Sequence, residues 1–322
     1  MDECIQGLQD HHLPRVEQEE ETNRKLGQFV RHGIHSVTNE VHKQHLRAYV
    51  EQNADSIKAE YVTIPAQPYY KRTVATLPEN IAKNRYHYSD AYDHSRVILK
   101  VCIDELDESD YICANYVDGY EAPRRFVAAQ SPLSTTINDY WRMVWDSNAT
   151  QIVCLTKVVE DGFIKCAPYW PKNGGSEMFG KVYVSTISDE MFTDFGLRRY
   201  AVERNDETRE IEHYYFIAWP DRNAPNSPKS ILELIEKLRQ SPKNKATNPI
   251  VVQCSAGVGR TGCFILIYNM LEMMAKVGYV DLPKYCAKMR CERAYALDGI
   301  NQYMFVYKSL LETLNKAERM NN

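Results

Sequence analysis

The chain lacks the marks of several protein classes. No run approaches the ~18 consecutive apolar residues that a membrane span needs. The opening stretch, MDECIQGLQDHHLPRVEQEEETNRK, is polar and acidic and has no apolar centre of the signal-peptide kind. Gly7 does not follow the initiating Met, so N-myristoylation is not indicated. These absences predict a cytoplasmic protein with no membrane insertion. The nine histidines include no HExxH and the nine cysteines no CxxC. Cys286 and Cys291 lie too far apart for a zinc-ribbon pair, so no metal is expected. An odd cysteine count, with Cys102, Cys154 and Cys263 inside apolar runs, fits reduced thiols and not a disulfide framework. The formal net charge is −4, without the basic excess of a nucleic-acid binder. No internal repeat is present.

What remains is an ordinary globular composition: 322 residues, 44% hydrophobic and 25% charged. Residues 1–40 are polar with weak periodicity and read as a loose arm. From about His42, HKQHLRAYVEQ reads as a helix. The stretches 181–191, 197–206 and 208–219 are β-branched and aromatic, and the last two flank a polar Asn-Asp-Glu turn that predicts an antiparallel hairpin. SPKSILELIEKLRQ (227–240) predicts a helix with Ser227 as N-cap and Pro228 in its first turn. Its Ile231, Leu234, Ile235 and Leu238 recur at helical spacing and form one buried face. PIVV (249–252) reads as a short buried strand, 260–277 as a central helix apolar nearly all round, and 300–315 as a further helix. Together these give an α+β or α/β fold, a central twisted mixed β-sheet flanked by α-helices, in one domain.

Between the buried strand and the central helix stands QCSAGVGRTG (253–262). A tight loop between strand and helix aims backbone N–H groups at an anion, and the helix adds its positive end. The glycines at 257, 259 and 262 let the loop curl closely. Arg260 offers a planar fork for two phosphate oxygens. Cys254, at the base of that cradle, sits where a thiolate is favoured and can attack phosphorus. A cysteine is more often a buried small hydrophobe, the reading that suits Cys263. Cys254 is followed after five residues by Arg260, with Ser, Ala, Gly and Thr in fixed order, and that pattern is specific.

CSAGVGRTG resembles the signature loop of the protein tyrosine phosphatase family. AWPD (218–221) resembles that family's mobile acid loop, and KNRY (83–86) with DHSRV (93–97) its phosphotyrosine loop. QSPLSTTINDYWRMVWD (130–146), KCAPYWP (165–171) and RCERAYALDGINQY (290–303) resemble three further family stretches. The resemblance runs from about residue 44 to 316, and KNRY points to the tyrosine-specific branch. It implies an arm at 1–43, a catalytic domain at 44–316 and a tail at 317–322. It also implies a cysteinyl-phosphate mechanism without cofactor. Cys254 would be the nucleophile, Arg260 the phosphate ligand, and Asp221 the acid and then the base. Ser255, Ala256, Gly257, Val258 and Gly259 would cradle the phosphate, with Ser255 and Thr261 supplying hydroxyls near the thiolate. Tyr86 would wall the pocket and Gln302 would place the hydrolytic water. Glu160 and Lys165, which alone would read as a solvated charge pair, would orient the arginine and the acid loop. Partners would be phosphotyrosyl proteins, acted on by a monomer.

Five positions depart from the family pattern. Gln253 replaces a histidine and cannot become a cation, so part of the thiolate stabilisation is lost. Tyr88 replaces an aspartate that holds the substrate backbone, at a cost of roughly 1.5–3 kcal/mol of peptide binding. Asp298 replaces a glutamine, and an anion there either repels phosphate or accepts a proton from water. Arg222 and Asn223 stand where the family often has an aromatic or histidine and then glycine; Asn tolerates the left-handed backbone that glycine supplies. The departures leave two readings open: an active phosphotyrosine phosphatase, or a weak or dead one that captures and shields phosphotyrosine. Hydrolysis of phosphoinositides is disfavoured because the loop lacks extra basic residues. The short form and divergent pocket further resemble the tyrosine phosphatase-like proteins of polydnaviruses, which implies a role in the host-cell cytoplasm, disturbing host signalling.

Overall fold

The computed structural model of the protein describes residues 37–66, 70–100, 109–220 and 223–321. The arm expected over 1–40 lies almost wholly outside these residues, as do Cys102, Asp221 and Arg222. The strands are β1 (Val41–His42), β2 (Arg96–Ile98), β3 (Tyr111–Val117), β4 (Phe126–Gln130), β5 (Gln151–Cys154), β6 (Val159–Glu160) and β7 (Phe163–Ile164). They continue with β8 (Ser176–Phe179), β9 (Val182–Met191), β10 (Phe195–Arg204), β11 (Glu207–Phe216), β12 (Ile250–Cys254) and β13 (Tyr279–Val280). The helices are α1 (Leu46–Gln52), α2 (Ala54–Thr63), α3 (Pro78–Ile81), α4 (Ile137–Asp146), α5 (Lys229–Gln240), α6 (Gly259–Val277), α7 (Leu282–Glu292) and α8 (Ile300–Asn321).

Nine strands form one mixed sheet in the order β2-β3-β4-β12-β5-β11-β10-β9-β8. Its centre is parallel, β12 lying between β4 and β5 and β5 beside β11. The outer strands pair antiparallel. The expected hairpin is β10–β11, with Arg204 facing Glu207. Its turn is two residues, Asn205 and Asp206, at φ 52° and 61°. That is the left-handed turn whose twist matches a hairpin, and Asn and Asp tolerate it.

The pleat sorts the core into two layers. On one face Ile250, Val252 and Cys254 of β12 pack with Phe264 and Ile267 of α6, Leu234 of α5 and Tyr303 of α8. On the other face Val251 packs with Ile152, Val127, Ala129 and the α4 residues Trp141 and Val144. Helix α6 is buried from Arg260 to Leu271, which is why its sequence is apolar nearly all round. The α5 face Ile231, Leu234, Ile235 and Leu238 is buried, as its spacing predicts.

Three boundaries differ from the sequence reading. His42 is not helical; it pairs with Tyr279 in the small β1–β13 sheet, and the helix starts at Leu46. Ser227 does not cap α5: Pro228 occupies the cap position, and the Ser227 hydroxyl accepts only from Lys229 N, at 3.4 Å. Helix α8 continues to Asn321, through the segment expected to be a tail. Before α1, Thr38 donates to Asp281 and Asn39 to Glu60. Residues 37–43 are thus fastened to the domain.

Candidate active site

The signature loop leaves the sheet at Cys254 and enters α6 at Gly259. Its carbonyls are all turned outward and held. Ser131 N donates to Cys254 O at 2.8 Å and to Ser255 O at 3.2 Å. Arg293, with no exposed surface, donates to Ala256 O at 3.0 Å and Gly257 O at 3.2 Å. Val258 O accepts from Gly262 N and Leu297 N. Turning the carbonyls out turns the amides in. The N–H groups of Ser255, Ala256, Gly257 and Val258 donate to no acceptor among the described residues. This is an anion nest at a helix N-terminus. Gly257 is required twice over: its φ is +68°, and a Cβ there would lie 2.3 Å from the Ala129 backbone.

Cys254 Sγ lies at the floor, 5% exposed, and accepts a hydrogen bond from Thr261 Oγ1 at 3.3 Å. Ser255 is not turned to the thiol. Its Oγ shares a 3.2 Å hydrogen bond with Tyr86 Oη instead, tying the pocket wall to the loop. Arg260 is nearly buried and grips Glu160 with two parallel hydrogen bonds of 2.7 Å. It also donates to Leu155 O at 2.9 Å and Pro220 O at 3.3 Å. Glu160 is fixed in turn by Thr156 Oγ1 and Lys157 N. Burial alone would raise the Glu160 carboxyl's pKa, but the hydrogen bonds and charge of Arg260, with the bonds from Lys157 N and Thr156, together hold the group below its ordinary value. Strand β6 of the β6–β7 hairpin thus presents the Glu160 carboxylate to the Arg260 guanidinium.

A cavity of about 430 Å³ gathers the rest. Tyr86, Tyr88, Glu160, Lys165, Cys254, Ser255, Ala256, Val258, Gly259, Arg260, Asp298 and Gln302 all line it. Gln302, in the first turn of α8, has an amide oxygen without a partner among the described residues. Gln253 is brought to the opposite face of the sheet, because neighbours along a strand point to opposite sides. Its Nε2 donates to Tyr169 Oη at 2.9 Å, and Tyr169 Oη bonds His213 Nε2 at 2.8 Å. Burial disfavours the charged form of His213 and lowers its pKa. Asp221 lies outside the described residues. Its neighbour Pro220 is described, however, and its carbonyl touches Arg260.

Sequence reading missed Arg293, Tyr169 and His213 as parts of this site. Arg293 and Tyr169 stand inside stretches whose resemblance was noted, but their partners are far away in the chain. Among the described residues no group of three or more His, Cys, Asp or Glu side chains converges as a metal site would. No helix among them is long and apolar enough to cross a membrane. The described cysteines are free, Cys154 and Cys263 both buried.

With this geometry in view, the chain belongs to the protein-tyrosine phosphatase family, whose profile matches residues 80–312. It is 37% identical over 270 residues to receptor-type tyrosine-protein phosphatase F of Danio rerio, covering 83% of this chain and 14% of that one. It is 39% identical over 277 residues to receptor-type tyrosine-protein phosphatase S of Gallus gallus, covering 85% and 18%. The F protein of Bos taurus is 39% identical over 255 residues, covering 79% and 13%. The chain thus spans less than a fifth of the length of these relatives.

Proposed function

We propose that the chain is a protein-tyrosine phosphatase that hydrolyses phosphotyrosine on proteins through a cysteinyl-phosphate intermediate. The observation that carries this is Cys254 Sγ beneath inward-turned loop amides, beside an Arg260 held by Glu160. The Cys254 thiolate attacks phosphorus and the bond to the tyrosyl oxygen breaks, with Asp221 giving that oxygen its proton. Water then attacks the thiophosphate, Asp221 takes a proton from it, and phosphate leaves with Cys254 restored. Arg260 and the loop amides hold the three non-bridging oxygens, where charge develops. Tyr86 packs on the substrate ring, Gln302 orients the water, and Lys165 helps place the acid loop. The catalytic domain spans 44–316. On the narrower resemblance, the substrates are signalling proteins in the cytoplasm of a host cell.

Cys254→Ser tests the reading. Turnover of p-nitrophenyl phosphate and of a phosphotyrosyl peptide should vanish while oxyanion and phosphopeptide binding persist. Turnover at the wild-type rate would sink the nucleophile assignment. A second reading, capture without turnover, is favoured by Gln253, which cannot carry charge, and by the exposed Asp298 carboxylate in the cavity wall. It requires the wild-type chain to bind the phosphopeptide and release no phosphate.

A further inference from the structure

The mouth of the cavity is chemically unlike its floor. Tyr88 is 45% exposed, and its ring lies 5.5 Å from that of Tyr86, tilted by 32°. The Tyr295 ring lies 5.8 Å from that of Tyr88 and nearly edge-on to it, at 80°. Tyr295 holds φ at +56°, a strained backbone for a bulky residue, and that backbone sets the ring against Tyr88. Arg72 fixes the Tyr88 carbonyl at 2.9 Å, and its guanidinium lies over the Tyr92 ring. Asp298 lines the same cavity, is exposed, and has no hydrogen bond or ion pair among the described residues. Its charge reaches Tyr88: burial, then Asp298, push that phenol's pKa up to about 12.

We infer that Tyr88, Tyr295 and Asp298 form a cation subsite that selects phosphotyrosines flanked by a lysine or arginine. The inference rests on the phosphotyrosine reading of the pocket. Aromatic faces attract a guanidinium or ammonium, and an unpaired carboxylate beside them supplies the counter-charge. The same carboxylate repels a flanking Glu or Asp. An exposed cation–π contact and an exposed ion pair are each worth a few-fold in binding, so together they give a preference of about tenfold.

The test uses matched phosphotyrosyl peptides that carry Lys or Arg, Gln, or Glu beside the phosphotyrosine, with p-nitrophenyl phosphate in parallel. At low salt kcat/KM for the basic peptides should exceed that for the acidic ones by about tenfold, and 1 M salt should shrink the ratio. Asp298→Asn and Tyr295→Ala should each reduce it to about threefold or less. Equal rates, or faster cleavage of the acidic peptides, with the small ester still cleaved, would overturn the subsite and leave the phosphatase reading standing. If no ester is cleaved at all, the phosphatase reading falls. The subsite is then decided by calorimetry with non-hydrolysable phosphonate forms of the same peptides: tighter binding of the basic ones supports it, and equal binding overturns it.

Discussion

The Thr261 hydroxyl is the one side-chain donor that the described residues direct at Cys254 Sγ. A hydrogen bond to a charged acceptor contributes about 1.5–3 kcal/mol. Thr261→Val keeps the shape and removes the donor, so kcat/KM at neutral pH should fall roughly 10- to 100-fold with the melting temperature little changed. Glu160 acts differently. With both partners about nine-tenths buried, deleting it removes the carboxylate that Arg260 grips with two hydrogen bonds. Glu160→Ala should cost about 3–5 kcal/mol in a denaturant titration, and vanadate should restore more stability than in the wild type because an anion then compensates the arginine. The nearness of Cys254 and Arg260 was legible because one loop motif fixes residue types at fixed spacing, whereas Tyr86, Glu160, Lys165 and Gln302, which line the same cavity, stand in other stretches and were named only through the family resemblance. Arg293 and Tyr295 were not. Arg293 reaches Asn115, 178 positions earlier in the chain, and no periodicity encodes such a contact.

At the scale of elements, α6 ends at Gly278, which takes φ +79° as its left-handed cap with only a lysine side chain near the missing Cβ. The cost of Gly278→Ala is therefore conformational alone, about 1 kcal/mol, readable as a shifted urea midpoint at unchanged slope. Amphipathic α5 and the β10–β11 hairpin could be read because each leaves one face or one turn polar. Strands β3, β4 and β5 could not. YICANYV, FVAAQ and QIVC are buried on almost every residue, so they show no alternation and are too short to be told from helix by pattern. The false helix start at His42 has the same origin. What holds β1 is its pairing with β13, more than 230 positions along the chain, a tertiary fact.

For the molecule as a whole, stability should depend on pH through Glu292, at the end of α7. Its carboxylate accepts from Asp118 N at 3.1 Å, and burial, reinforced by the Asp118 charge, raises its pKa to about 8 from 4.5. The folded chain thus holds a proton that the unfolded chain has released between pH 4.5 and 8. This contribution is full below pH 4.5 and fades as pH rises through about 8. Because the residue is only half-buried, it amounts to on the order of 1–2 kcal/mol. Glu292→Gln should flatten the melting temperature between pH 6 and 9; an unaltered slope would refute the assignment.

The strand order has a consequence for how the chain is made. β4 and β5 emerge during synthesis some 100 residues before β12, the strand that belongs between them. Until then each presents an unpaired edge, and the nascent sheet must keep a slot open without closing on itself or on another chain. The strand that fills the slot is the one carrying Cys254, so the proposed nucleophile arrives with the piece that completes the sheet. A half-made chain holds no assembled Cys254 loop, and under the proposed function the onset of phosphatase activity would report that the centre of the sheet has closed.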